Sequence, residues 1–361
     1  MIKRITFLIT NLDFGGREIQ VVQLALKLRK NGWQVQLICM LSPQAFEKEL
    51  SAGGVELFTL DMKRGFGNPL SIVKLAKLIH TWKPQILHSH LVHANLLARL
   101  TRPFIDVPIL ISTAGNISEG SRWREVAYRI TDPLCDLTTN VSQLATNAYV
   151  ERGLTPKHKI KFIPNFIDAE RFHFDEDSRY SVRRELTIND EFVWLAIGRL
   201  EEQKDYPNLL KAFKLVSQKF PKSLLLICGK GSLKENIVNM IRQLNLEAKI
   251  RLLGVRRDIQ SVMSASDAYV MSSAWEGMPG VLLEASTVGL PIVSTDVGGT
   301  SEVVVNGSSG FLTPPNNASE LASSMHKLMQ LSLKERKRMG HFGREFCISN
   351  FGIETAVKKW E

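Results

Sequence analysis

The sequence contains little cysteine and no long apolar run, and both absences narrow the class of protein. Its 361 residues include 4 cysteines, which are far apart and form no CxxC or Cys/His cluster. Neither a zinc site nor a disulfide framework is therefore indicated, and a reducing cytoplasm fits this composition. No window approaches the roughly 20 apolar residues that a helix needs to cross a bilayer, so we expect no integral membrane protein.

The first residues predict a strand rather than a secretory signal. The apolar run in MIKRITFLIT ends at Asn11 and Asp13, before it reaches signal-peptide length, and it predicts a first β-strand. We therefore expect a cytoplasmic protein. Hydrophobic residues make up 44% and charged residues 23%, which is typical of a folded globular chain, and the length is sufficient for two domains.

Positive charge is concentrated in the first half of the chain. Residues 1–172 contain 22 Lys and Arg against 14 Asp and Glu, whereas residues 173–361 contain 24 against 22. A basic half can meet nucleic acid, an anionic membrane surface or anionic substrates, although a solvated surface needs no partner.

Short β-rich apolar runs alternate with helical patterns along nearly the whole chain, which is typical of α/β domains with parallel sheets covered by helices on both faces. The strands predicted for the first half are 5–10, 35–40, 57–60, 85–88, 108–113, 137–140 and 159–163. Those predicted for the second half are 192–197, 223–228, 249–253, 267–271, 291–295 and 310–313. The polar segment 169–190 separates the two sets and has no strand period, so we place the domain junction there. Ligands of such doubly wound sheets bind beyond the carboxyl ends of the strands, which predicts an interdomain cleft.

The stretch SSAWEGMPGVLLEASTVGLP holds two glutamates, Glu276 and Glu284, eight residues apart. It predicts a loop over 272–278 and a helix that begins at Pro279 and stops at Gly289. Free backbone amides at such a helix start favour an anion such as a diphosphate, here those of Gly280, Val281 and Leu282. The two carboxylates would then serve different parts of one elongated ligand. In the alternative interpretation Glu276 caps the helix and Glu284 is a solvated surface residue.

Two further loops follow the first predicted strand of each half. Gly198 allows a tight exit from its strand, and Arg199 and Lys204 can neutralise a diphosphate, although lone basic residues in loops are usually just solvated. Gly15 and Gly16 let the backbone approach a phosphate or sugar. They do not match the G-x-G-x-x-G fingerprint that an NAD-dependent oxidoreductase requires. The GxG at 229–231 is interpreted mainly as a turn.

With these segments in view, the chain resembles the GT-B glycosyltransferases, and within them the retaining family 4 type. The matching segments are Gly15-Gly16, Gly198-Arg199 with Lys204, GKG at 229–231, LLGVRRDI at 252–259, EGMPGVLLEA at 276–285 and PIVSTDVGGTSEVV at 291–304. The resemblance covers almost the whole chain and is more specific in the second half. It implies two facing Rossmann-like domains, an acceptor-binding domain at 1–172 and a donor-binding domain at 173–344, with a last helix at about 345–361 that crosses back to the first.

The resemblance also implies a role for each matching residue. Arg199 and Lys204 would hold the donor diphosphate, Glu284 the ribose hydroxyls, and Glu276 the transferred sugar. The base would lie near Gly254, Val255 and Arg256. The remaining predicted donor-binding residues are Gly15, Gly16, Gly277, Met278, Pro279, Gly280, Val281 and Leu282. Attack from the side on which the nucleotide leaves would retain the sugar configuration, and we expect neither a metal nor a cofactor.

One position departs from the family pattern. Many relatives carry a histidine after the fifth strand of the first domain, close to the transferred sugar, where this sequence has Gly115 in STAGNISEG. Either the correspondence is shifted or a neighbour substitutes. In HSHLVHANL, His90 is the best placed neighbour and is, with Glu276, a candidate catalytic residue. A structural role for His90 and His93 in packing or capping the next helix is equally compatible with the sequence.

A basic aromatic segment, GSRWREVAYRITD, predicts a helix that could rest on an anionic bilayer. It combines Arg122, Arg124 and Arg129 with Trp123 and Tyr128. A partner helix or a solvated face is the alternative.

Together these features predict a glycosyltransferase that moves a sugar from a nucleotide-sugar donor, more specifically a UDP-sugar, to a glycan or lipid-linked acceptor. The expected setting is synthesis of a surface polysaccharide such as lipopolysaccharide, at the inner face of the cell membrane. A nonhydrolysing sugar-nucleotide 2-epimerase of the same fold is the alternative. A nucleic-acid binder would explain the charge but leave the paired glutamates without a purpose, so no nucleic-acid partner is expected.

Overall fold

A computed structural model describes residues 3–13, 15–63 and 69–360. The chain divides into two compact units, and each is described by itself. Unit 1 comprises residues 1–165 with 356–361, and unit 2 comprises residues 166–355. Among the described residues, no helix combines the length and apolar character that a membrane span requires.

Unit 1 is built on a sheet of seven strands whose pairings are parallel. The strands are β1 Arg4–Ile9, β2 Gln34–Cys39, β3 Glu56–Thr59, β4 Ile86–His90, β5 Ile109–Thr113, β6 Leu137–Asn140 and β7 Ile160–Phe162. The helices are α1 Gly16–Lys30, α2 Glu47–Ala52, α3 Leu70–Trp82, α4 Val92–Thr101, α5 Arg122–Thr131 and α6 Gln143–Glu151. The order β3-β2-β1-β4-β5-β6-β7 reverses its direction between β1 and β4.

Unit 2 repeats this plan with six parallel strands in the order β10-β9-β8-β11-β12-β13. The strands are β8 Phe192–Ile197, β9 Ser223–Cys228, β10 Ile250–Gly254, β11 Ala268–Met271, β12 Ile292–Thr295 and β13 Gly310–Thr313. The helices are α7 Glu176–Glu185, α8 Tyr206–Lys219, α9 Lys234–Gln243, α10 Ile259–Ala265, α11 Gly280–Val288, α12 Thr300–Val303, α13 Ala318–Gln330 and α14 Leu333–Phe351. The last helix, α15 Ile353–Trp360, begins in unit 2 and belongs to unit 1 from residue 356 on. The order reverses between β8 and β11.

The central strands form because their apolar residues can be buried on both faces. In β8, Val193, Trp194 and Leu195 have no exposed surface, and all six residues of β9 are buried. Helices on each face cover such runs, which is why they lack the alternating pattern of a half-exposed strand. Open sheets of this kind bind ligands where the strand order reverses, outside the carboxyl ends of the strands. The two reversal points are therefore the places to look for function.

All thirteen predicted strands are confirmed, with ends that shift by at most two residues. The predicted α/β class, with two parallel sheets, is also confirmed. Within the polar segment 169–190 the structure forms α7, whose Arg179 donates to Ser264 O and Ser266 O beside α10. The single last helix predicted at about 345–361 is instead two helices that meet at Gly352, and residues 356–361 belong to unit 1.

Candidate functional site

The loops after β8 and β11 bring the predicted site residues of unit 2 together. These two strands are neighbours across the reversal point, so their carboxyl ends lie at one edge of the sheet. Gly198 and Arg199 follow β8, and the loop 272–279 follows β11. The prediction of a loop over 272–278 is confirmed.

Lys204 and Glu276 form an ion pair at this edge. Lys204 Nζ lies 2.5 Å from Glu276 Oε1, and the two side chains are only 15% and 9% exposed. Ser273 Oγ donates to the same carboxylate at 2.8 Å, and Gln203 Nε2 donates to its second oxygen at 3.2 Å. The carboxylate of Glu276 is thus fixed by three side chains, and the alternative that it caps α11 is wrong, because none of these partners is an amide of that helix and its N-cap is Pro279.

Arg199 is an exposed cation next to this pair. Its Nη2 donates to Gln203 Oε1 at 3.1 Å, and Gln203 in turn donates to Trp275 O at 3.0 Å. Gln203 therefore links the Arg199 loop to the Glu276 loop. Gln203 was not predicted as a site residue, although its position between Arg199 and Lys204 could have indicated that it belongs to the site.

Glycines create the room in which these loops meet. A Cβ on Gly198 would lie 2.9 Å from Lys204 Cε, so this glycine clears space for the lysine stem. A Cβ on Gly229 would lie 1.9 Å from Gly198 O, and one on Gly231 would lie 2.3 Å from Leu200 O. The GxG at 229–231 thus lets two backbone segments touch, which agrees with its interpretation as a turn.

The start of α11 differs from its prediction by one residue. Pro279 is the N-cap with φ −74° and ψ 110°, and this extended ψ keeps it outside the helix, so its placement as the first helical residue is wrong. Leu282 N–H donates to Pro279 O at 3.1 Å, and the Leu282 side chain is fully buried. The predicted free amide of Leu282 is therefore wrong as well. Gly280 and Val281 supply the first amides of the helix, and a Cβ on Gly280 would meet nothing within 4 Å. Gly289 ends the helix as predicted, in the left-handed conformation with φ 90°.

The loop after β12 closes against Glu276 and Gly277. Gly298 has φ +56°, and a Cβ there would lie 2.1 Å from Glu276 O. Gly299 N–H donates to Gly277 O at 2.5 Å. These two glycines support the strand-end loop but were not among the predicted site residues, although a glycine pair three residues after a strand end was a usable signal.

Glu284 lies in α11 as a half-buried carboxyl group. Burial raises its pKa to about 7, and the positive charge of Arg171 offsets this only in part. Among the described residues, no side chain or backbone group donates a hydrogen bond to it. A ligand with hydroxyl groups could therefore satisfy both of its oxygens. Its environment does not fit the alternative of a solvated surface residue.

The predicted base-binding segment follows β10. Gly254 ends that strand with φ +68°, and Val255 is exposed. Arg256 contacts two carboxylates, Glu185 and Asp258, each at 2.6 Å. The hydrogen bond to Glu185 raises the pKa of Arg256 most, and the one to Asp258 raises it further. Its guanidinium is thus engaged in holding the loop, which leaves the backbone of Gly254 and Val255 as the better candidates for ligand contact.

In unit 1 the loop after β1 leads directly into α1. Gly15 is the N-cap of that helix, and a Cβ there would lie 2.2 Å from Glu18 Oε2. Gly16 is the first helical residue and has open space at its Cβ position. The helix start therefore presents backbone rather than side chain, as predicted from the glycine pair.

His90 ends β4, on the other side of this reversal point. Its side chain is 4% exposed, and within the described part of the chain neither ring nitrogen has a partner. Burial lowers its pKa well below the usual range, and the charges of His88 and Arg17 lower it further. Its neighbour His88 instead pairs with Thr113 Oγ1 at 2.7 Å. His90 is thus a neutral imidazole with unused hydrogen-bonding capacity, and its catalytic role stays a prediction.

Gly115 has Arg17 beside it. A Cβ on Gly115 would lie 2.6 Å from Arg17 Nη2 and 3.3 Å from Arg17 Cζ. The guanidinium therefore fills the space into which a side chain at position 115 would extend. Arg17 was not predicted as a site residue, although its position directly after Gly15-Gly16 was a signal.

Two family models match the chain and together span most of it. "Glycosyl transferases group 1" matches residues 178–346, and "Glycosyltransferase Family 4" matches residues 14–171. The first match contains all six strands of unit 2, and the second contains β2 to β7 of unit 1.

Individual relatives agree with these matches. The chain is 29% identical over 304 residues to an Escherichia coli UDP-Gal:alpha-D-GlcNAc-diphosphoundecaprenol alpha-1,3-galactosyltransferase, which covers 80% of this chain and 77% of the relative. It is 26% identical over 351 residues to a capsular polysaccharide biosynthesis glycosyltransferase of Staphylococcus aureus, covering 92% and 90%. The Anabaena protein HepE, solved in complex with UDP-glucose, superposes with a TM-score of 0.86 at 22% identity, covering 99% of this chain and 97% of that one.

Proposed function

The chain belongs to the group 1 glycosyltransferases of the GT-B fold, and we propose that it is a retaining enzyme that transfers a sugar from a UDP-sugar to a lipid-linked glycan. It acts in polysaccharide and glycan biosynthesis. One observation carries the finer proposal: the Lys204–Glu276 ion pair, the exposed Arg199 and the carboxyl of Glu284, which accepts no hydrogen bond from a described residue, all belong to the segments that follow β8 and β11.

Each of these groups suits one part of a nucleotide sugar. Arg199 and Lys204 would bind the diphosphate, because a guanidinium and an ammonium both donate to phosphate oxygens. The amides of Gly280 and Val281 add the positive end of a helix dipole. Glu284 would accept hydrogen bonds from the ribose hydroxyls, and Glu276 would orient the transferred sugar.

Two comparisons support UDP as the nucleotide. The name of the Escherichia coli relative specifies a UDP-Gal donor, and the Anabaena structure contains UDP-glucose. The same relative acts on a diphosphoundecaprenol-linked sugar, which supports a lipid-linked acceptor.

In the proposed reaction the residues of the chain position both substrates and stabilise charge on the leaving diphosphate. Negative charge develops on the phosphate as the bond to the sugar breaks, and Arg199, Lys204 and the α11 amides lie at the same strand-end edge and can stabilise it. The leaving phosphate would take the proton of the acceptor hydroxyl that attacks from the same side. Retention of configuration follows from that geometry.

Slow hydrolysis of the donor offers a test that needs no known acceptor. The purified protein is incubated with UDP-glucose, UDP-galactose and their N-acetyl forms, and the first sugar released is followed by proton NMR. We expect release of the same anomer that the donor carries. Release of the opposite anomer would contradict a retaining mechanism, and absence of UDP-sugar binding would contradict the donor assignment.

We also propose that unit 1 contacts an anionic membrane through α5. Trp123, Val126 and Ile130 project from one face of this helix and are 60%, 49% and 72% exposed. Arg122 and Arg129 are exposed beside them. An apolar face with flanking arginines suits a surface of anionic headgroups. Tyr128, which the sequence grouped with this face, is 1% exposed and accepts from Asn95, so its assignment to the surface is wrong.

A further inference from the structure

The guanidinium of Arg17 is held at the reversal point of unit 1 and has N–H donors that no described residue uses. Its Nη1 donates to Asn165 Oδ1 at 3.3 Å, and the described residues provide no carboxylate bonded to it. The nearest acidic group, Glu18, accepts instead from Asn11 at 2.9 Å. Burial lowers the pKa of Arg17 to about 10, which still leaves it charged at neutral pH. A partly desolvated cation with unused N–H groups favours an anionic oxygen ligand.

The loop that carries Gly115 is fixed under this guanidinium. Asn140 Nδ2 donates to Asn116 O at 3.2 Å, and Tyr149 donates its hydroxyl to Glu119. Both anchors are buried side chains, since Asn140 and Tyr149 have no exposed surface. Any side chain at position 115 would therefore move Arg17 rather than the loop.

His90 provides a second, independent indication of a ligand. It is 96% buried, its two ring nitrogens have no partner among the residues that the structure describes, and it ends the strand that pairs with β1, so that it lies close to the start of α1. A neutral imidazole offers one donor and one acceptor. A hydroxyl group can pair with either ring nitrogen, because it both donates and accepts, whereas an ionised phosphate oxygen can only accept from the N–H.

We propose that Arg17 and His90 bind the junction between a sugar and a phosphate group of a substrate, and that position 115 is glycine so that the guanidinium can occupy this place. Arg17 would contact a phosphate oxygen and His90 a sugar hydroxyl. The proposal rests on the function proposed above. Such a junction occurs both in a UDP-sugar donor and in a lipid-diphosphate sugar acceptor, and the test distinguishes these two sources.

Gly115→Ala is the most informative variant. Its added methyl group meets only the far end of a flexible side chain, and Gly115 does not have a positive φ, so the fold should tolerate it. Arg17→Ala removes the cation itself, and Arg17→Lys keeps the charge but loses the bidentate donor geometry of the guanidinium. Lys30→Ala, at the exposed last turn of the same helix, is the control for loss of one positive charge. Thermal melts verify folding of each variant.

Calorimetric titrations then use three probes: UDP, UDP-galactose, and a short-chain lipid diphosphate carrying GlcNAc. We expect Gly115→Ala and Arg17→Ala to weaken the binding of one sugar-phosphate probe by about 10- to 100-fold, because charge-assisted hydrogen bonds are lost. Arg17→Lys should have an intermediate affinity, and Lys30→Ala should bind like the wild type. Weakening of UDP-galactose but not UDP assigns the site to the donor, and weakening of the lipid probe assigns it to the acceptor.

Two results would overturn the inference while leaving the proposed function intact. In the first, the wild type binds UDP, and the affinity of each variant for both sugar-phosphate probes is within twofold of the wild-type affinity. In the second, the wild type binds UDP but neither sugar-phosphate probe. A wild type that binds no uridine nucleotide would instead contradict the proposed function.

Discussion

Lys204 and Glu276 form an ion pair of 2.5 Å between the segments that follow β8 and β11. They are 72 positions apart in the chain and meet because those two strands are neighbours where the strand order reverses. The pair fixes a cation beside the exposed Arg199, and it leaves two N–H groups of the ammonium for a ligand.

Breaking this pair should destabilise the protein. Lys204→Met leaves the carboxylate of Glu276 buried without its cation, and the loss of one partner of a buried pair costs about 3–5 kcal/mol. Glu276→Gln keeps an amide for Ser273 and Gln203 and should cost less. Urea unfolding of both single variants and of the double variant gives the coupling free energy, which we expect to exceed about 1 kcal/mol. Additive effects would show that the pair contributes nothing.

Gly198→Ala should weaken UDP binding by displacing the stem of Lys204. The new Cβ would meet Lys204 Cε at 2.9 Å, and because this stem is flexible we expect little loss of stability but about tenfold weaker binding. Titration with UDP measures the effect. In a Lys204→Met background the same glycine substitution should change nothing further. A second tenfold loss in that background would mean that Gly198 acts through another contact.

Glu284 should make stability depend on pH. Its ordinary pKa is 4.5 and burial raises it to about 7, so ionising it costs the folded protein stability as the pH rises through this window. Glu284→Gln should match the wild type at pH 4.5 and exceed its melting temperature above pH 7, by about 2–4 °C for each kcal/mol recovered. The exposed Glu235→Gln on α9 is the control. Equal melting curves at pH 8 would contradict the raised pKa.

The α5 surface should determine membrane binding. Ile130→Glu places a charge in the exposed apolar face, and Arg122→Glu reverses a charge beside it. Both should reduce sedimentation with anionic vesicles at low salt, because apolar burial and attraction to the headgroups both contribute. Tyr180→Glu, which changes an equally exposed residue on α7 of unit 2, is the control. If all three variants sediment like the wild type, α5 does not bind the membrane.

Much of the fold could be predicted from the sequence because parallel strands are apolar on both faces. Runs such as FVWLAI and SLLLIC cannot be solvated, so β8 and β9 were predicted to the residue. The helix start at α11 was missed by one position, because the φ of Pro279 suits either side of a helix boundary and only its ψ decides.

The contacts within the site were less accessible to sequence reasoning. Glu276 and Lys204 were predicted as separate ligand contacts, and their pairing depends on which strands become neighbours. Arg17 was overlooked because the path of a long side chain decides that it covers Gly115. Arg256 was grouped with the base-binding residues, yet Glu185 on α7 engages its guanidinium. The division of acceptor and donor binding between the two units stays a prediction.

The central claim is that the reversal point of unit 2 binds the uridine nucleotide of the donor, and a calorimetric titration with UDP tests it most directly. Wild type, Arg199→Ala and Glu284→Ala are compared, with Arg242→Ala on the exposed face of α9 as the matched control. The account predicts that the wild type and Arg242→Ala bind UDP equally, and that Arg199→Ala and Glu284→Ala bind it at least about tenfold more weakly. Equal affinity in all four proteins, or no binding of UDP by the wild type, would contradict it.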